Sequence, residues 1–426
     1  VAGFSLRCVE CGSVHDGRSG LYVCPTCCAG QEAGGVTRGV LEVVIGELPA
    51  AWPDAAPGSS AFLTAFLPVT DPRHLPPLPV GGTPLIEAPR LRHELGMPRL
   101  WLKDDTRNPS GSTKDRASQL VVARAVEHGL DTVATASTGN AATALAAVAA
   151  AAGLRAVVFV PAAAPPAKLV QMASYGAEVL PVDGSYDDAF ELSLSACAAF
   201  GWYNRNTAYN PFTIEGKKTA ALEIAAALAP EAPDVVVVGA GDGVIAAGLA
   251  KGFADLERCG LIARRPRLVV VQPAGSAALA TALRCGAPAI TPVAAAASVA
   301  DSLVVRAPRN AILCLREVRA SGGAGVVVTD DAILAAIPRL AGLTGVFAEP
   351  AAAAALAGLE VALNETLIGR DERVVLLVTG TGLKDVAAAA RALPPPTPIE
   401  PTLEAVERRL GSSRPGPRRE TGSPSR

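Results

Sequence analysis

The residue with the clearest chemical promise is Lys114, in the run Trp101-Leu-Lys-Asp-Asp-Thr-Arg-Asn-Pro-Ser-Gly-Ser-Thr-Lys114-Asp-Arg-Ala-Ser. Asn108-Pro109 and Ser110-Gly111 are turn chemistry. Ser112 or Thr113 is expected to cap a helix, and helical spacing runs from Asp115 to His128, which puts Lys114 in the first turn. The positive end of the helix dipole disfavours an ammonium there, and partial burial acts the same way. Both favour the neutral amine that forms a Schiff base. On this segment alone, a surface lysine at a helix start is the competing reading.

A second chemical cluster lies near the start. Five of the nine cysteines fall between Cys8 and Cys28. Two Cys-x-x-Cys knuckles, Cys8 with Cys11 and Cys24 with Cys27, are separated by twelve residues. Each knuckle offers two thiolates, and a hairpin that joins them completes a tetrahedral four-sulfur zinc site. A segment this small has almost no core of its own, so metal would supply much of its folding energy. A closed four-thiolate site has no open position, so its expected role is structural. The alternative is a ribbon that no longer binds metal. Cys28 is read as a bystander, or as a substitute for Cys27.

Three loops could hold a small anionic ligand. The strand 133–136 leads into Ser137-Thr138-Gly139-Asn140, and an Ala-rich helix follows over 141–152. Backbone N–H groups and hydroxyls at such a helix start cradle an anion such as a carboxylate. The Asn140 amide is able to hydrogen-bond a ring hydroxyl. The second loop, Gly239-Ala240-Gly241-Asp242-Gly243, joins the strand 235–238 to a helix from Val244. Val244 occupies the third glycine position of the dinucleotide fingerprint, so one phosphate fits better than a pyrophosphate. Gly216-Lys217-Lys218-Thr219 is no Walker loop, because Pro211 stands at its first glycine. A tight turn without ligand is the alternative for 239–243. Thr379 follows the strand 374–378, at the carboxyl end where open α/β sheets place ligands.

These residues need elements to hold them. Apolar β-branched runs at 156–160, 235–238, 268–271 and 374–378 alternate with Gly turns and Ala/Leu-rich helical stretches. Strands apolar throughout predict a parallel sheet covered on both faces, a doubly wound α/β architecture. The chain has 426 residues, 50% hydrophobic and 18% charged, with a net charge of −2. That balance points to a small-molecule partner, not to nucleic acid or membrane. No apolar run is long enough to span a bilayer, and no basic-then-apolar leader opens the chain, so a cytoplasmic protein is expected. An odd cysteine count without an export signal argues against a disulfide framework.

Taken in order, the motifs resemble the fold-type II pyridoxal-phosphate enzymes, and among them the threonine synthases. The resemblance spans nearly the whole chain: Gly81-Gly-Thr-Pro-Leu85, 108–116, 137–140, Glu215-Gly-Lys-Lys-Thr219, 239–243, Ala300-Asp-Ser-Leu303, Gly345-Val-Phe-Ala-Glu-Pro350 and 379–385. It implies two doubly wound open-sheet domains behind an N-terminal zinc-ribbon-like segment. The expected spans are a ribbon at 1–46, a connector at 47–82, a smaller α/β domain at 83–204 and a larger one at 205–397. A mostly disordered tail is expected at 398–426. It also implies that Lys114 binds the cofactor covalently and shuttles protons. Asn140 would face the cofactor's 3′-hydroxyl, residues Gly239, Ala240, Gly241, Asp242 and Gly243 its phosphate, and Thr379 its pyridine nitrogen. Ser137, Thr138 and Gly139 would bind the substrate carboxylate. The implied reaction turns O-phospho-L-homoserine and water into L-threonine and phosphate, in a homodimer.

The chain departs from the family pattern in places. Thr113 and Ala117 flank the key residues where many members have Phe and Gly, and Thr381 stands where many carry His. Thr213 occupies a position where many members place a phosphate-binding Arg. Arg205, Lys217 or Lys218 would have to supply that charge, with Lys217 the chosen substrate residue. Two other readings compete: a related lyase or β-replacement enzyme for another amino acid, and a non-catalytic binding protein on the same fold.

Overall fold

A computed structural model of the chain describes residues 3–164 and 166–411. Strands β1 (Phe4–Cys8), β2 (Val14–Asp16) and β3 (Leu41–Ile45) belong to the cysteine-rich segment. Next come β4 (Leu85–Ile86) and β5 (Leu100–Asp104). The middle of the chain supplies β6 (Thr132–Ala136), β7 (Arg155–Pro161), β8 (Glu178–Val182) and β9 (Tyr203–Asn204). The last four are β10 (Val235–Gly239), β11 (Arg267–Pro273), β12 (Ala324–Val328) and β13 (Val374–Val378). They form three sheets, in the orders β2-β1-β3, β12-β11-β10-β13-β5-β4 and β8-β7-β6-β9. The first is antiparallel; the four-stranded sheet is parallel; the six-stranded sheet is parallel except for its edge strand β4.

The apolar runs behave as a two-faced sheet requires. In β10, Val236 and Val238 enter one core while Val235 and Val237 enter another. Leu268 and Val270 of β11 separate from Val269 and Val271 in the same way, as do Val375 and Leu377 of β13 from their neighbours. Side chains alternate along a strand, so only a strand apolar at every position can face two covered layers.

Two expected boundaries move. The smaller domain was placed at 83–204, but β5 pairs with β13 from Leu100↔Val374 to Asp104↔Val378. Residues 85–104 therefore build the six-stranded sheet, and the smaller sheet begins at Thr132. The connector is also more than a connector: Phe62, Leu63, Phe66 and Leu67 are buried in the main core, and Trp52 stacks on Phe62.

The chain divides into two compact units, the second beginning at Leu393. Within that second unit the expected disorder is corrected over Leu403–Leu410, which is a helix. Thr402 caps it by accepting the Ala405 N–H, Glu404 stands in the first turn, and Arg408 and Arg409 stand in the last. Those charges oppose the helix dipole at both ends. The remainder of the expected tail, 412–426, lies outside the described residues. Among the described residues no helix is long and apolar enough to cross a membrane.

The helix Lys114–Glu127 is anchored by a buried ionic quartet. Arg116 donates to Asp105 at 2.7 and 2.8 Å and to Glu223 at 2.6 and 2.9 Å. Lys103 Nζ donates to Glu223 Oε2 at 2.6 Å. Thr83, Thr219 and Gly82 N–H complete the cage. Connector, β5 and two helices thus meet two residues from Lys114.

Candidate active site

Every residue expected to hold cofactor or substrate lines one cavity of ≈ 440 Å³: Lys114, Ser137, Thr138, Gly139, Asn140, Lys217, Thr379 and all of 239–243. The loops converge because strands β6, β10 and β13 all end there. Lys114 is the first helical residue. Of the two expected caps, the Thr113 side chain makes no capping bond, while Ser112 Oγ accepts the Lys114 N–H at 3.4 Å. Main-chain bonds fix the rest of the loop. Thr113 N–H donates to Thr379 O at 2.8 Å, Thr381 N–H donates to Gly111 O at 3.0 Å, and Ser112 bridges Gly380. The lysine loop is thereby zipped to the loop after β13.

In the 239–243 loop the glycines have steric reasons. A Cβ on Gly241 would lie 2.9 Å from Ser302 O, and Gly243 adopts φ +85°. The loop ends at the start of the helix Val244–Arg258, where free N–H groups favour an anion. Asp242 turns its carboxylate to the Arg309 N–H at 2.9 Å.

Positive charge is concentrated beside Lys114. Burial pushes its amine below the usual lysine range, Arg205 adds to the shift, and Glu349 and Asp242 oppose it. Lys217 is held well below its ordinary value by burial, then by Arg205 and Lys114. Burial lowers Arg205 to about 10. Lys217 Nζ and Arg205 Nη2 are buried and have no hydrogen-bond partner among the described residues. Arg205 otherwise donates to Ser118 at 3.2 Å and Thr207 at 2.6 Å. Lys218 is unlike its neighbour: it pairs with Glu215 and, at 2.9 Å, with Asp255. Thr213 is fully buried and donates its hydroxyl to Asn210 O at 2.7 Å. Of the three basic residues weighed for an anion, Lys217 lines the cavity, Arg205 keeps one nitrogen without a partner among the described residues, and Lys218 is committed to carboxylates.

Sequence reasoning missed Glu349. Its carboxylate accepts the Asn140 amide at 2.9 and 3.0 Å, and burial pushes its pKa up. It sat inside the quoted Gly345–Pro350 motif, where a Glu before a Pro reads as a helix start. Tyr186, Arg309 and Gly34 also line the cavity, and only the fold brings them there.

Asp115, next to Lys114, is buried and accepts the Ser110 N–H at 2.7 Å. Burial dominates and pushes its carboxyl up to about 6. The folded chain keeps a proton that the unfolded chain has released, so this contribution is present below about pH 4 and lost as pH rises through 6. Asp115→Asn removes the titration. Urea unfolding at pH 4 and pH 7 should show the natural chain losing about 3 kcal/mol relative to the variant across that window.

The cysteines also converge. Cys8, Cys11, Cys24 and Cys27 place their sulfurs within 4.8 Å of one another. The Cys8–Cys27 and Cys11–Cys24 separations are both 3.8 Å. Tetrahedral zinc with bonds of about 2.3 Å requires sulfurs about 3.8 Å apart, so the donor set fits that ion. Cys28 directs its thiol to Pro25 O and stands outside the set.

A family model described as pyridoxal-phosphate dependent enzyme matches residues 77–380. The threonine synthase of Methanosarcina acetivorans is 35% identical over 417 residues, which covers 95% of this chain and 98% of that protein. That of Methanocaldococcus jannaschii is 36% identical over 408 residues, with the same coverage. That of Mycobacterium bovis is 36% identical over 356 residues, 83% of this chain and 96% of that protein. Among solved structures, the processed form of threonine deaminase isoform 2 from Solanum lycopersicum shares the fold, with a TM-score of 0.65 at 22% identity. It covers 82% of this chain and 97% of that one.

Proposed function

We propose, from the premise that this chain belongs to the pyridoxal-phosphate dependent enzyme family, that it converts O-phospho-L-homoserine and water to L-threonine and phosphate. The observation that carries the substrate is a pair of buried nitrogens without a hydrogen-bond partner among the described residues, Lys217 Nζ and Arg205 Nη2. A buried donor without a partner is costly, and a dianionic phosphate would satisfy both and favour the protonated Lys217 that burial disfavours. They stand in for the Arg that many family members carry at the position of Thr213.

Residues of the cavity divide the work. The 239–243 backbone and helix start would hold the cofactor phosphate, Asn140 the 3′-hydroxyl and Thr379 the pyridine nitrogen. When bound, pyridoxal phosphate supplies the electron sink that acidifies the substrate's Cα. Lys114, its amine kept neutral by burial, binds the cofactor, takes protons from Cα and Cβ, and delivers one to Cγ as phosphate leaves and one back to Cα. Ser137, Thr138 and Gly139 hold the substrate carboxylate. Lys217 and Arg205 hold the phosphate that leaves from Cγ, and water adds at Cβ.

Purified protein given O-phospho-L-homoserine should release phosphate and threonine in equal amounts. Ammonia and a 2-oxo acid from serine or threonine, without phosphate release, would instead indicate a related lyase. Lys217→Met should lower kcat/KM for the phosphorylated substrate by about 10- to 100-fold, the loss of one charge-assisted hydrogen bond. The same variant should unfold at a higher temperature, since it removes an unpaired buried amine. A weaker cofactor affinity with unchanged substrate KM would reassign Lys217 to the cofactor.

The proposal includes a structural zinc on Cys8, Cys11, Cys24 and Cys27. One zinc per chain should be found by elemental analysis, falling to none in Cys24→Ser. The reading also places the enzyme in the cytoplasm as a homodimer. All nine cysteines are free, which suits a reducing compartment. Light scattering of the purified protein reads the assembly.

A further inference from the structure

The cysteine-rich segment reaches the cavity through its 31–39 loop. That loop is tied to the knuckles: Cys24 N–H donates to Gly39 O at 2.8 Å, and Arg38 Nε donates to Glu10 Oε1 at 2.6 Å. From the loop, Thr37 N–H donates to Arg309 O at 2.8 Å. Arg309 N–H then donates to Asp242 Oδ1 at 2.9 Å, and Asn310 N–H to Asp242 O at 3.1 Å. Asp242 is the fourth residue of the glycine cradle. A continuous hydrogen-bonded path thus joins a thiolate knuckle to the 239–243 loop.

Packing follows the same route. Gly34 lines the cavity with φ +68°, and a Cβ there would lie 2.6 Å from Asp187 Oδ2. Asp187 in turn accepts from Arg309 Nη2 at 2.6 Å, and that guanidinium lies over Phe190. Val40 is buried with Ile214, Leu313 and Val244, the first residue of the cradle helix.

We propose that the 31–39 loop is a positioning element for the cofactor-phosphate cradle, so that filling the four-thiolate site sets the affinity for pyridoxal phosphate. Four sulfurs within 4.8 Å are held together by a cation, and lose that tie without one. Loosening the knuckles frees the 31–39 loop, and Arg309 then no longer fixes Asp242. The inference rests on the reading that 239–243 holds the cofactor phosphate.

The test measures the cofactor dissociation constant from the visible absorbance of the full chain. Removing zinc with a chelator and a thiol-binding mercurial should raise that constant about tenfold, and returning thiol and zinc should restore it. Thr37→Pro, which deletes the donor to Arg309, should raise it similarly with zinc bound, and zinc removal should then add little. An unchanged constant after zinc removal would overturn the proposal, as would two effects that multiply. If Thr37→Pro does not fold, Gly34→Val, which pushes the loop off Asp187, serves for the same comparison. Gly241→Val separates the two readings: if it leaves the constant unchanged, the cradle assignment itself fails.

Discussion

Lys114→Ala should reduce phosphate release from O-phospho-L-homoserine by roughly 10⁴-fold or more, because it removes both the covalent anchor and the base. The amine is suited to both roles at neutral pH. Burial, Arg205 and the helix start all disfavour its charged form. Lys114→Arg should not rescue activity, since a guanidinium does not give up its proton. The variant should still fold, because its loop is held by main-chain bonds to 379–381. Borohydride treatment followed by peptide mapping should label Lys114 in the natural chain. If the label fell on Lys217, or if Lys114→Ala kept its turnover, the assignment would be wrong.

Glu223→Ala should destabilise the fold by about 3 to 5 kcal/mol, read as a shift of the urea midpoint. Glu223 accepts from Arg116, Lys103 and the Gly82 N–H, so its loss leaves buried Lys103 without a carboxylate and Arg116 with Asp105 alone. Burial alone would raise the pKa of Asp105, but Arg116 outweighs it and holds the carboxyl at about 2. Glu223 is likewise held low by Arg116 and Lys103 against its burial. The unfolded chain takes up protons first on acidification. The quartet's contribution is therefore present above about pH 4 and lost as pH falls toward 2. This is the opposite sense to Asp115, which directly precedes Arg116 in the chain. Glu223→Gln keeps the shape and removes the charge, and should fall between the natural chain and the alanine variant.

What could be read in the sequence was what is local. The β10 and β13 runs are apolar at every position, and that alone demands a sheet with two covered faces. The knuckle spacing and the order of loops were equally local, and the fold brings the named residues to one cavity. Pairing was not legible. β5 looks like any short strand, and only its register with β13 shows which sheet it joins. Lys103 and Glu223 carry no mark of partnership, since they lie far apart in sequence and meet through the fold. Lys217 and Lys218 are adjacent and chemically identical, yet one faces the cavity and the other a pair of carboxylates. Helix rotation separates them, and composition says nothing about it. Gly34 had no local signal at all.

The backbone zip between 111–113 and 379–381 has a consequence for how such a chain drifts. The address of the amine is written in peptide groups, which every residue except proline shares. Side chains at positions 113 and 381 can then be exchanged while the amine keeps its place, whereas Gly111, at φ +86°, and Gly380, whose Cβ would meet the Glu349 carboxylate, cannot. Thr113 and Thr381, which differ from the common family letters, are tolerable spellings of the same address.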